Sequence, residues 1–348
     1  TRAGRSFADP ETRRRPMDVL CIGLAVCDLV ARPVDASAFR RDSTRIDTLL
    51  MACGGDALNA SAGMSALGLD VTLAARVGRD PMGDFLLSEM DRLGIRRDRV
   101  LVTNGVTTAT SLVLVDASGE RHFLYHGGAN DRLALADLPL DRLSDFAVVH
   151  VGSAMALDGL DGPDLGRLFA AAKTAGCTTS LDVTWDASGR WLEKVADALP
   201  RVDVFLPNAD EALRITGERD PVGMADFLHR RGVRLAAIKL GERGCYLSEA
   251  GEPPAGRLIP PVAPARVLDT TGAGDAFVAG FLAGLHRGLA PGDCALLGNA
   301  AASRCIGCLG ALGGLPTLEG LVTAVEGSAE NGRPAARRIR EAFRKPGS

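Results

Sequence analysis

The chain has 348 residues, enough for two ordinary domains or one large α/β domain with an appendage, and its 46% hydrophobic residues can fill a sizeable core. Forty basic against 43 acidic groups leave a formal net charge of -3, which offers no electrostatic footprint for nucleic acid or an anionic membrane; disorder, collagen and coiled coil are excluded by the same composition. Glycine is the outlier at 41 residues, well above a usual share of about 7%, so many positions need backbone freedom or close approach to a ligand.

Arg13, Arg14 and Arg15 precede an apolar stretch from Val19 to Cys27 and together imitate a short signal peptide. Asp18 and Asp28 bracket the stretch and no A-x-A pattern follows, so it reads as a buried first strand over 19–26. Met17 is then a natural start and 1–16 a disordered extension. Asp28 falls at the carboxyl end of that strand, where an open α/β sheet places its ligands. Residues 30–50 are polar and irregular.

Gly54-Gly55-Asp56-Ala57-Leu58-Asn59 opens a helix over 56–67. This is either a diglycine turn with Asp56 as N-cap, or a place where a polyol approaches the backbone while Asp56 and Asn59 bind its hydroxyls. A strand over 71–77 leads through Asp80 and Pro81 into a helix over 81–93 that Gly94 closes. Residues 108–126 alternate apolar and polar about an Asp116-Ala117-Ser118-Gly119 turn, as a β-hairpin does. With 30–50, this segment is read as an inserted small β-sheet standing over the main one.

Short apolar runs at 146–151, 178–183, 202–206 and 234–239 alternate with helices at 162–175 and 208–216, the pattern of βα units in a mostly parallel sheet covered on both faces. Asn208 and Glu211 form a capping-box pair at one helix start, and the same pair could equally hold the water shell of Mg²⁺. After about 267 the chain turns helical, at 275–288, 291–305 and 317–326, and the basic tail over 327–348 is expected to be solvated or frayed.

Asp269-Thr270-Thr271-Gly272-Ala273-Gly274-Asp275 lies between an apolar strand ending at Leu268 and a helical run. A glycine loop at a helix start aims several amides, and the positive end of the helix dipole, at one spot, which favours a phosphate. The loop lacks the lysine of a P-loop. Asp275 is either a plain N-cap or a general base beside that anion hole. The eight cysteines are irregularly spaced, which points to a reducing cytosol and so a cytoplasmic location, and Cys305 and Cys308 read as small apolar residues on one helix face. No apolar run approaches the ~20 residues of a membrane span.

Together these pieces resemble the ribokinase-like (PfkB) family of carbohydrate kinases. Its two signatures are similar to Gly54 through Gly68 with the following V-T-L-A-A-R-V-G-R-D-P-M-G, and to Asp269 through Gly280. Asn208 to Glu211 resembles the family's N-x-x-E motif and Lys239-Leu240-Gly241 its nucleotide-phosphate loop, and the likeness runs from about Val19 to about Val325. The resemblance implies a three-layer α/β/α fold over 17–326 with a mostly parallel central sheet and a small β-sheet lid built from 30–50 and 108–126. It also implies ATP-dependent transfer of the γ-phosphate to a hydroxyl of a small sugar. Asp275 would be the base, and the amides of Gly272, Ala273 and Gly274 the anion hole. Asp28, Gly54, Gly55, Asp56 and Asn59 would hold the sugar. Asn208 and Glu211 would act on Mg²⁺ through water, Lys239 and Gly241 on the nucleotide phosphates, and Asn299 on the adenine. Asp269 with Thr271 would bind a monovalent cation such as K⁺.

Asp56 stands where ribokinase itself has a lysine, which counts against ribose. The G-G-D-x-L-N string is similar to 2-keto-3-deoxygluconate kinases, but Leu181 to Asp186 lacks the N-x-R those enzymes usually carry there. A nucleoside kinase on the same scaffold is the nearest alternative, disfavoured by only 4% aromatic residues. A nicotinamide dehydrogenase would need G-x-G-x-x-G after the first strand, where this chain has Cys21-Ile22-Gly23-Leu24-Ala25-Val26, and a non-catalytic sugar binder conflicts with an intact Asp275. An exposed lid sheet would offer an edge for a homodimer across a two-fold axis.

Overall fold

The computed structural model describes residues 17–251, 256–264, 266–328 and 332–344, so the expected extension over 1–16 lies outside the described residues. The first apolar stretch does not make one strand. β1 (Met17–Ile22) stops at Gly23, where φ is +149° and a Cβ would sit 2.8 Å from Ser153 Oγ and 2.9 Å from Ala57 Cβ. The chain bends there and resumes as β2 (Val26–Arg32) in a different sheet, which corrects the expected strand over 19–26.

β3 (Thr48–Gly54) follows, then α1 (Asp56–Ala66), β4 (Val71–Gly78), α2 (Pro81–Arg92) and β5 (Arg96–Thr103). The hairpin is β6 (Thr110–Val115) and β7 (Arg121–His126). Next come β8 (Phe146–Ala154), α3 (Pro163–Thr174), β9 (Thr178–Val183), α4 (Leu192–Val195), β10 (Val204–Phe205), α5 (Ala209–Thr216), α6 (Pro221–Arg230) and β11 (Leu235–Lys239). The remainder is β12 (Cys245–Glu249), β13 (Arg257–Ile259), α7 (Ala273–His286), α8 (Pro291–Ile306), α9 (Leu318–Glu326) and α10 (Gly332–Phe343).

Among the described residues the main sheet has nine strands in the order β13-β12-β11-β10-β9-β8-β1-β4-β5, parallel except where β12 and β13 turn back at one edge. Alternate β1 residues serve opposite faces: Val19 and Cys21 join a core with α1, α7, α8 and α9, while Leu20 and Ile22 join one with α3 and the segments around it. The result is three layers, helix, sheet, helix. Strand order reverses between β1 and β8, so a crevice opens at their carboxyl ends, and α1 begins there.

The second sheet has the order β3-β2-β6-β7, with β2 and β6 parallel and the two outer pairings antiparallel. The expected small sheet is therefore present, but its strands flank the polar segment 30–50 rather than fill it, and residues 36–40 form a 3-10 turn. The tail is corrected too. Ala335, Ala336 and Ile339 of α10 are buried against α9, and Arg338 grips the buried Asp293 of α8 through two bonds of 2.6 and 2.7 Å. Cys308 lies beyond the end of α8, so the two cysteines do not share a helix face.

Candidate active site

Gly54 and Gly55 end β3 and start α1 at the crevice. Gly55 has φ +93°, and a Cβ there would meet Leu24 O at 2.5 Å, so the close approach requires glycine. It is also the N-cap, which leaves Asp56 as the first helical residue with no capping bond. Asp56 is partly buried, its Oδ2 is enclosed with no partner, and desolvation pushes its carboxyl well above the usual range, with Asp275, Asp182 and Glu211 adding to the shift. Asn59 Nδ2 donates to Asp275 Oδ2 at 2.8 Å, while Asn59 Oδ1 stays buried without a partner. That one bond joins the two glycine segments across 216 positions of sequence.

Gly272, with φ +76°, is the N-cap of α7, so Asp275 sits a full three residues inside the helix start. It caps nothing: its recorded hydrogen bond comes from Asn59, which removes the N-cap reading of Asp275. Burial raises its carboxyl, against the opposing pull of Asn59 and Lys239. The Lys239 ammonium stands over the glycine loop, since a Cβ on Gly274 would lie 3.4 Å from Nζ.

Lys239 ends β11 and pairs with Asp182 Oδ2 at 2.7 Å. Burial alone would depress this ammonium, but Asp182, Glu211 and Asp275 hold it above its ordinary value. Burial pushes Asp182 up to about 8 despite the lysine. Asn208 and Glu211 form the full capping box, Glu211 N to Asn208 Oδ1 at 2.9 Å and Asn208 N to Glu211 Oε2 at 2.8 Å, and burial raises Glu211. Four carboxylates, Asp182 and Glu211 buried and Asp56 and Asp275 partly so, thus act on one ammonium. Among the described residues no three acidic, histidine or cysteine side chains converge closely enough to ligate a metal directly, so what these residues fit is Mg²⁺ that keeps its waters and arrives with the nucleotide.

Asp28 is not at the end of the first strand. It lies in β2 of the small sheet, opposite Ala52 and Ser111, and Gly54 leaves room for its carboxylate: a Cβ there would be 2.3 Å from Oδ2. Burial raises it to about 7. Ser111 in turn faces the half-exposed Tyr125 of β7, whose phenol is raised by partial desolvation, against a hydrogen bond with Asn130, and further by Asp131 and Asp56. Asn299 is buried in α8 and donates to Pro260 O at 2.8 Å, away from this cluster. Gly241, with φ +60°, opens the short turn after Lys239.

Asp269 and Thr271 meet a residue that sequence reasoning missed. Arg121, the first residue of β7, bonds Thr271 Oγ1 through Nη1 and Asp269 Oδ2 through Nη2, so a guanidinium takes the ground expected for K⁺. Asp182 was also missed, although a lone aspartate in the apolar run Thr178–Val183 was a signal. Arg121 had no comparable mark, being one basic residue after a polar turn.

The pfkB family carbohydrate kinase pattern matches residues 17–318. The chain belongs to this family. Its members transfer phosphate to an alcohol group, and this chain is a kinase of that kind. An uncharacterized sugar kinase of Archaeoglobus fulgidus is 32% identical over 254 residues, 73% of this chain and 98% of the relative. The 2-dehydro-3-deoxygluconokinase of Bacillus subtilis is 28% identical, over 80% of this chain and 88% of its own length. Arabidopsis thaliana ribokinase, solved with ribose and ATP, superposes with a TM-score of 0.75 at 23% identity, covering 90% of this chain and 99% of that one, a likeness of fold.

Proposed function

We propose that this kinase transfers the γ-phosphate of ATP to a hydroxyl of an uncharged sugar or polyol, with Asp275 as general base. The observation that supports this reading is the Asn59–Asp275 bond, which joins α1 to the first turn of α7. The acceptor hydroxyl gives its proton to Asp275 while its oxygen attacks the γ-phosphorus and ADP leaves. Amides of Gly272, Ala273 and Gly274, with the Lys239 ammonium beside them, stabilise the charge on the transferred group. Mg²⁺, when bound near Asn208 and Glu211, neutralises phosphate charge. Asn299 is the residue we assign to the adenine side, and no monovalent cation is part of the reading.

The acceptor is assigned to Asp28, Gly54, Gly55, Asp56 and Asn59. None of these five residues is a cation, and Asp28 and Asp56 are desolvated carboxyls, so the negative charge of a sugar acid or sugar phosphate would find no counter-charge among them while the hydroxyls of a neutral sugar find acceptors. The small sheet acts as a lid over this pocket, and its outer strands β3 and β7, which expose Leu49, Leu50, Phe123 and Leu124, offer edges to a second copy. ADP release across sugars, sugar acids, sugar phosphates and nucleosides tests the reading. Turnover confined to neutral polyols is expected, and a best substrate bearing a carboxylate or phosphate overturns the substrate class.

A further inference from the structure

The side chain of Arg121 leaves the lid and enters the body of the enzyme. Its Nη2 reaches Asp269 Oδ2 at 2.5 Å, and its Nη1 bonds Thr271 Oγ1. Asp269 is almost wholly enclosed, its side chain only 4% exposed. It also accepts from Thr271 N and Gly310 N, each at 2.7 Å. One buried carboxylate therefore gathers three pieces of chain: the lid hairpin, the stretch leading into Gly272–Gly274, and the turn after α8. That turn packs directly on the glycine loop, since a Cβ on Gly272 would meet Ala311 Cβ at 2.5 Å. Cys305 closes the same knot, its thiol donating to Thr271 O at 3.3 Å.

A buried carboxylate needs a counter-charge, and this one comes from the small sheet, the part we read as a lid. Whatever shifts β7 away from the body strips Asp269 of its cation and frees Thr271. We infer that Arg121 is a positioning residue: a lid-borne counterion that fixes the anion loop when the lid is shut, filling the place of a monovalent cation and making turnover independent of K⁺. The inference rests on the reading of Gly272 to Gly274 as the loop that receives the transferred phosphate. Two cations cannot share the same pair of oxygens at close range without strong repulsion, so with Arg121 seated K⁺ has no reason to bind.

The experiment compares wild type, Arg121→Ala and Arg121→Lys at fixed ionic strength in K⁺ or in tetramethylammonium, with and without added guanidinium, by kcat, KM and melting temperature. Wild type should be indifferent to the choice of cation in all three. Arg121→Ala in tetramethylammonium should lose up to about 10²-fold in kcat with a smaller change in KM for the acceptor, the cost of a misplaced catalytic loop. K⁺ or guanidinium should restore much of that loss, and Arg121→Lys should fall between. The melting temperature of Arg121→Ala should also rise with K⁺ while that of wild type does not, because only the variant has a place for the ion. This thermal reading needs no turnover, so it separates failure of the inference from failure of the kinase assignment. Wild-type activity that requires K⁺ overturns the inference, as does an Arg121→Ala protein equal to wild type in every cation. A loss that no cation repairs and that lysine shares overturns it too.

Discussion

Two aspartates in the crevice differ in what their burial does. Asp275 is held inside the first turn of α7 by Asn59 and caps nothing, so Asp275→Asn keeps an acceptor for that bond and removes a buried charge. Its melting temperature should not fall, while kcat drops by about 10² to 10⁴ because an amide cannot take the hydroxyl proton. Side-by-side calorimetry and turnover check this, and near-normal kcat would remove Asp275 from the chemistry. Asp28 makes a pH argument. Its folded carboxyl is raised to about 7, so the folded chain holds a proton that the unfolded chain releases. That contribution is complete below about pH 4 and is lost as pH rises through 7. Asp28→Asn should therefore gain melting temperature over wild type progressively from pH 4 to 8. An equal difference at both ends would show that the carboxyl is not desolvated.

At the scale of elements, the helix start at Asn208 makes the cap its sequence allowed, and the Mg²⁺ role is the one proposed above. The capping box is formed, and Glu211 also faces Lys239 in the carboxylate cluster. Gln serves a capping box as well as Glu does, so Glu211→Gln should leave melting temperature close to wild type while raising the Mg²⁺ concentration needed for half-maximal activity. A titration of activity against Mg²⁺ decides it; an unchanged midpoint with a lower melting temperature would leave only the cap. Helices with apolar stripes, α7 among them and α2 with its Asp80 cap, were legible in the sequence. β5 was not: Arg96-Arg97-Asp98-Arg99 fills half of it, and it pairs at the sheet edge where polar residues are tolerated. α10 was hidden by its arginines, although Ala335, Ala336 and Ile339 are spaced to share one buried face. Ile339 is fully buried, and Ile339→Ala should cost about 2 to 5 kcal/mol in denaturant unfolding. A smaller cost than about 1 kcal/mol would mean that α10 is a loose appendage.

For the whole molecule, both signatures could be read from the sequence because glycines and a few fixed polar residues mark them. Their meeting could not, since Asn59 and Asp275 touch only after the main sheet is laid down between them. The split of the first apolar stretch was equally hidden, because Gly23 turns the chain for reasons supplied by Ser153 and Ala57. The two-sheet arrangement carries its own prediction. Amide exchange in 110–126 should slow when a confirmed acceptor and ATP are both present, because transfer to a sugar rather than to water requires the crevice to be shut. Unchanged exchange there with bound substrate would mean that the small sheet is no lid.

The packing of α1 on α7 has one more consequence. A Cβ on Gly63 would come within 2.6 Å of Ala279 Cβ, so the two helices touch with almost no side chain between them. Asn59 and Asp275, to which we assign the acceptor and the base, are therefore carried on one rigid block, while Asp28, Ser111 and Tyr125 belong to a separate sheet. Under the proposed reading, side chains on β2 and β6 can then be exchanged at the acceptor while the α1–α7 block stays in register. Arg121 of β7 is the exception, a side chain of the small sheet that reaches the segment leading into the glycine loop.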